Sequence, residues 1–183
     1  MPPFNILGID PSLRNWGVSH CVLTSPSTFR VNHSDLFQSK DDKTVKPNIS
    51  DLMTSIGLYK SIHEYASIVR PNTIVIELPI GSQSYSAAVS YGICIGLIGA
   101  IKSWGIPIIP VSPYDVKKVI GKKETTKQEI IDWVSQNYPE VQFPMHGSKI
   151  SIGKAEHIAD SIVAVHAALL KPELKELIHA YYN

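Results

Sequence analysis

Apolar and polar positions along this chain alternate between two rhythms, and the switches between them divide it into elements. Residues 5–9 form a short apolar run closed by Asp10-Pro11, which reads as a strand. Residues 16–23 and 28–37 are rich in β-branched and aromatic side chains and are separated by Ser25-Pro26-Ser27. Together the three predict an antiparallel meander. Residues 38–47 are polar and lysine-rich, as a loop would be. From 49 to 69 the rhythm becomes helical, with Leu52, Ile56, Tyr59, Ile62 or His63, and Ala66 at helical spacing.

Pro71-Asn72 ends that helix, and 73–76 is an apolar strand leading into Glu77. Residues 84–104 predict a helix rich in Ala, Gly and Ile, expected to be buried and closely packed. Gly105 stops it, and 106–111 predicts another buried strand. Strand, helix, strand, helix, strand implies parallel strands joined by helical crossovers. Ser112-Pro113 and Thr125-Thr126 are helix starts, the latter with Gln128 and Glu129 at capping-box spacing. A flexible loop is expected at 147–153, a strong helix at 154–170, and a short one at 172–182.

Composition narrows the class without naming it. The 183 residues are 44% hydrophobic and 18% charged, an ordinary globular balance that favours one domain over 1–183. Cys21 and Cys94 form no CxxC pair, which argues against a disulfide scaffold or structural zinc and for a reducing, cytoplasmic setting with both thiols buried. Neither a secretory signal nor a membrane span is expected; 87–101 is apolar but short. The net charge of +1 means that any anionic partner must be met by a local patch.

Candidate chemistry gathers in four residues. Asp10 and Glu77 each close an apolar strand, where a half-desolvated carboxylate is costly unless a cation or hydrogen bonds offset it. Ligands collect at such strand ends in open α/β sheets. His157 and Asp160, three apart, share one helix face with Ala164, beside an apolar stripe of Ile158, Ile162, Val165 and Leu169. The small Ala164 would let this helix approach the strand bearing Asp10. Glu156 falls on another face and is a weaker candidate. Three carboxylates and a histidine suit Mg²⁺, or Mn²⁺ with its greater tolerance of nitrogen. Two such ions roughly 3.5–4 Å apart support phosphodiester hydrolysis. Each residue alone also has a plainer reading: Asp before Pro as a turn, His-x-x-Asp as a solvated helix face.

Gly8-Ile9-Asp10-Pro11-Ser12, Ile76-Glu77, Val116-Lys117-Lys118 and His157-Ile158-Ala159-Asp160, in that order, resemble the RuvC family of Holliday junction resolvases, in its phage-type or divergent branch. The resemblance runs from about residue 4 to 170. It implies an α/β, RNase H-like fold: a mixed five-stranded sheet with antiparallel first three strands and helices on both faces. It further implies a homodimer that nicks four-way DNA junctions symmetrically, with two Mg²⁺ ions per active site. The active-site positions fall on Asp10, Glu77, His157 and Asp160, with Asp10 bridging both ions, Glu77 and Asp160 holding one each, and His157 near the nucleophile. Three departures stand out. Ser12 follows Asp-Pro where many relatives have Gly. His157 stands where many have Asp. The first aromatic after Glu77 is Tyr85, not a residue of the Leu78-Pro79-Ile80 segment.

Lys117, Lys118, Lys122, Lys123 and Lys127 crowd one segment with only Glu124 opposing. They would neutralise phosphates, positioning DNA without reading bases, or simply form a solvated helix-loop-helix. Arg14 and Asn15 lie just past Asp10, placed to touch a phosphate. Ser82, Gln83 and Tyr85 could line a junction centre, with Tyr85 either stacking on a base or packing in the core. The glycines of the 84–104 helix serve either close core packing or a two-fold interface. The leading expectation is a structure-selective endonuclease. The alternatives are a broader branched-DNA or flap endonuclease, a non-catalytic branched-DNA binder, and a sugar kinase or actin-like ATPase, which would be about twice as long and carry a second phosphate loop absent here.

Overall fold

The computed structural model describes residues 2–39, 44–78, 81, 84–122 and 124–183. The expected meander is present as β1 (Asn5–Asp10), β2 (Asn15–Ser25) and β3 (Thr28–Gln38), with β1–β2 and β2–β3 antiparallel. Helix α1 (Pro47–Val69) leads to β4 (Thr73–Glu77), parallel to β1, and α2 (Tyr85–Lys102) leads to β5 (Ile108–Val111), parallel to β4. The strand order is β3-β2-β1-β4-β5. Then come α3 (Pro113–Ile120), α4 (Lys127–Asn137), α5 (Ile152–Leu169) and α6 (Pro172–Tyr182). This is the RNase H-like mixed sheet with helices on both faces.

Two-residue alternation along the strands makes two cores. Leu7, Ile9, Val18, Ile74 and Ile76 pack with Leu58, Ile62 and Ala66 of α1 and Ile101 of α2. Ile6, Cys21, Val75 and Ile109 pack on the other face with α3 to α6. Of the two capping-box spacings at 125–126, Thr126 with Glu129 forms and opens α4, and a further box, Ser112 with Asp115, opens α3. Both cysteines are free and buried.

Three expectations change. The 147–153 loop is partly structured: β6 (Met145–His146) and β7 (Lys149–Ile150) form a small hairpin turning through Gly147 at φ 61°, and α5 begins at Ile152. Lys40, Asp41, Asp42 and Lys43 of the expected 38–47 loop lie outside the described residues.

The second change concerns α2. It was expected to be buried, yet of its 18 residues only Cys94 and Ile101 are. Its apolar character comes from a face that no described element of the chain covers, with Val89 and Ile95 among its exposed residues. Among the described residues it is the one helix long and apolar enough to cross a membrane, by length and composition only. Burial cannot be read from apolar content alone, because a helix apolar on every side is apolar whether or not anything covers it.

The third concerns α5, expected to show a polar stripe beside an apolar one. The polar stripe is there, with His157 and Asp160 half-buried while every other residue from Ala155 to Val165 is buried, but it is narrow, because the sheet on one side and α3 and α4 on the other cover the rest. Glu156 is thereby buried too.

Candidate metal and nucleic-acid site

Asp10 and Glu77 become neighbours through sheet register. Ile9 pairs with Ile76 across the parallel β1–β4 ladder, so the next residues, Asp10 and Glu77, end adjacent strands. Alternation then turns both to the face covered by α5, since Ile9 and Ile76 belong to the opposite core. Adjacent strands lie about 4.8 Å apart, which makes two carboxylates there mutually repulsive.

The helix bearing His157 and Asp160 is brought to them by two glycines on the sheet. Gly17 sits opposite Asp10 in the β1–β2 ladder. A Cβ at Gly17 would lie 1.8 Å from the His157 carbonyl oxygen, and one at Gly8 2.4 Å from that of Ser161. The backbone of α5 therefore rests directly on β1 and β2. Ala164 is buried, but the close approach is made by Gly8 and Gly17. A glycine inside a strand is itself the sequence signal for such an approach, and Gly17 shows it plainly.

With the helix seated, His157 Nδ1 lies 2.6 Å from Asp10 Oδ2, the ring N–H donating to the carboxylate. Burial alone would lower the histidine's pKa, but the hydrogen bond and charge of Asp10, then Glu156 and Asp160, raise it above its ordinary value. Glu77 is pushed up to about 9, first by burial and then by the charges of Asp10 and Asp160. Asp160 rises to about 8 through burial and Asp10, with Glu156 adding to the rise and His157 and Lys127 opposing it. Glu77 Oε2 is buried without a hydrogen-bond partner among the described residues.

The four predicted residues thus share one electrostatic neighbourhood. Among the described residues, however, no three His, Cys, Asp or Glu side chains stand close enough together to enclose an ion. One oxygen of Asp10 is taken by His157. An orphaned buried carboxylate oxygen and two carboxyls displaced toward neutrality are what a divalent cation would correct, so the residues present fit such an ion.

Beyond the acids, the structure redistributes the candidates for contacting DNA. Arg14 is engaged by α1: Nη2 pairs with Asp51 at 3.0 Å and Nη1 donates to Thr54 Oγ1, tying the β1–β2 turn to that helix. Asn15 accepts from Gln38 across the sheet. Lys122 pairs with Glu129, so Glu124 is not its only opposing charge, and Lys127 pairs with Glu156. No ion pair engages Lys117 or Lys118 among the described residues. Tyr85 is 87% exposed at the start of α2, which rules out the core-packing reading. Ser82, Gln83 and Lys123 lie outside the described residues. Sequence reasoning missed the Asp51 and Thr54 anchor of Arg14, because nothing in one chain's spacing pairs residues about 40 apart.

A mixed β3-β2-β1-β4-β5 sheet with helices on both faces is the RNase H-like fold. Solved structures agree with this. The chain matches Thermus thermophilus RuvC in complex with Holliday junction substrate at 17% identity and a TM-score of 0.67, covering 90% of this chain and 92% of that one. It matches another Thermus thermophilus RuvC structure at 18% identity and a TM-score of 0.64, over 90% and 92% of the two chains. The yeast mitochondrial Holliday junction resolvase matches at 14% identity and a TM-score of 0.64, over 98% of this chain and 82% of that one. No protein-family model matches the chain, and no curated protein matches it. The chain therefore has a RuvC-like resolvase fold.

Proposed function

We propose that this chain is a metal-dependent DNA endonuclease of the Holliday junction resolvase type, acting as one RNase H-like domain over 1–183. The observation that carries the reading is the pair of strand-end carboxylates, Asp10 and Glu77, faced by His157 and Asp160 from a helix seated on glycines. Asp10, Glu77, Asp160 and His157 would hold two Mg²⁺ ions, or Mn²⁺ in their place. When bound, such ions supply activation of a water and charge stabilisation on the leaving oxygen.

The chain's own residues supply the rest. Asp10 would share in holding the ions, its charge being felt by both Glu77 and Asp160. Glu77 and Asp160 flank it, and their raised affinity for protons in the metal-free site marks them as carboxylates that gain most from a cation. The His157 ring is fixed by Asp10, which holds its Nδ1 proton.

Lys117 and Lys118 at the end of α3, and Tyr85 at the start of α2, are proposed DNA contacts, through phosphates and base stacking respectively. The uncovered face of α2, with Val89 and Ile95 among small residues, is the proposed homodimer surface. A two-fold dimer would present two sites to opposite strands of a four-way junction, and a cytoplasmic setting accords with the two free thiols. The structure solved with a Holliday junction substrate supports branched DNA as the partner.

The test is a cleavage panel of four-way junctions, flaps, Y-structures and duplex with Mg²⁺ and with Mn²⁺. Paired nicks in the four-way junction are expected. Junction binding without cleavage under any divalent ion would instead favour a non-catalytic binder, and preferential flap cutting a broader branched-DNA nuclease.

A further inference from the structure

Glu156 is a buried carboxylate that neither the proposed metal set nor the core accounts for. It is 9% exposed and has two neighbours of opposite kind. One oxygen meets Lys127 Nζ at 2.5 Å, and the other lies 3.9 Å from His157 Nε2. His157 is thus flanked by carboxylates on both ring nitrogens, Asp10 at Nδ1 and Glu156 at Nε2.

Lys127 reaches Glu156 from a fixed point. It is the first residue of α4, directly after the N-cap Thr126, whose capping box with Glu129 sets the start of that helix. Glu129 also pairs with Lys122, which holds the same turn from the other side.

We propose that Glu156 is a positioning residue for His157 and that Lys127 is its counter-ion, so that Lys127 serves the site through Glu156 and not through a DNA phosphate. The arrangement rests on the nuclease reading above for its effect on cleavage, but not for its geometry. At 3.9 Å Glu156 makes no hydrogen bond to Nε2, so it acts through its charge on the side of the ring left open to an ion, while Asp10 holds Nδ1. Lys127 makes Glu156 tolerable at that depth, since an unpaired buried charge is strongly disfavoured. The link also joins the basic segment to the helix that carries Asp160.

The experiment compares the full-length wild-type chain with Lys127→Ala, Lys117→Ala, Glu156→Gln and the Lys127→Ala/Glu156→Gln double variant. Binding of a labelled four-way junction is measured against salt in EDTA. A lysine that neutralises a phosphate lowers the salt slope by about 1 when removed. Lys117→Ala is expected to show that drop and Lys127→Ala to leave the slope unchanged. Single-turnover cleavage is expected to fall about tenfold in Lys127→Ala and in Glu156→Gln, as for other residues that orient a ligand. The double variant should be no worse than either single, because the two act as one unit.

The ¹⁵N resonances of the His157 ring, read without metal, should move in both single variants. Lys127 is 65% exposed, so its variant keeps the idea testable should Glu156→Gln fold poorly. A salt slope lowered by about 1 in Lys127→Ala with unmoved His157 resonances would overturn the proposal, as would additive losses. If the wild type cuts no branched DNA, the nuclease reading fails, while the ring resonances still decide the positioning role.

Discussion

Replacing Gly17 by alanine puts one methyl group where the backbone of α5 now lies. The new Cβ would stand 1.8 Å from the His157 carbonyl oxygen and 2.1 Å from its carbon. Both are backbone atoms, so no side-chain rotation relieves the clash. To reach ordinary contact at 3.4 Å, helix and strand must part by about 1.6 Å along that line. The same helix carries His157, whose Nδ1 is 2.6 Å from Asp10, and a shift of that size takes the pair beyond hydrogen-bond range. Overpacking costs about 1–3 kcal/mol, and losing a charge-assisted hydrogen bond adds a further loss of about 1.5–3 kcal/mol.

A total of about 2.5–6 kcal/mol is below all but the lowest domain stabilities, roughly 5–15 kcal/mol, so the variant should fold. Urea denaturation should show the lower midpoint. Cleavage of a synthetic four-way junction should fall about 100-fold, the scale on which a 1 Å misplacement acts. Gly57→Ala is the matched control: it lies in α1 with nothing within 4 Å of its Cβ, and alanine there should stabilise by about 0.5–1 kcal/mol. Wild-type stability and wild-type cleavage in Gly17→Ala would refute the claim that this glycine seats the catalytic helix.

Further outcomes concern charge and assembly. Asp10→Asn and Asp160→Asn should each abolish cleavage while junction binding in a gel-shift assay survives; either variant cutting at the normal rate with Mg²⁺ would remove that residue from the metal set. Glu77 and Asp160 bind protons more tightly folded than unfolded, and so does His157. In EDTA their contribution to stability is therefore lost as pH rises toward their folded values. Urea midpoints should drop between pH 7 and pH 9 and recover on adding Mg²⁺; a midpoint that rises over that interval would contradict the burial of these carboxyls. His166 has the opposite sign, since burial lowers it to about 4, and its influence ends below this window. Ile95→Glu, on the uncovered face of α2, should convert a dimer to monomers in sedimentation with little change in thermal stability, and an unchanged sedimentation coefficient would place any interface elsewhere.

The order of elements was legible in the sequence because period-2 and period-3.6 patterns are local properties. So were the helix starts at Ser112 and Thr126, since a cap and its partner lie three residues apart. Asp10, Glu77, His157 and Asp160 stood out for the same local reason, as acids at strand ends and a pair at helical spacing, with the family likeness supplying their order. Tertiary structure decided what distance in sequence conceals. It set the β1–β4 register that makes Asp10 and Glu77 neighbours, the resting of α5 on Gly8 and Gly17, and the capture of Arg14 by Asp51 and Thr54. It also reversed one reading and settled a second that spacing left open. The apolar α2 lies largely uncovered, and the polar Glu156 lies buried against Lys127 and His157. Hydrophobic pattern reports what a residue prefers, whereas burial and pairing depend on which elements the chain brings to that face.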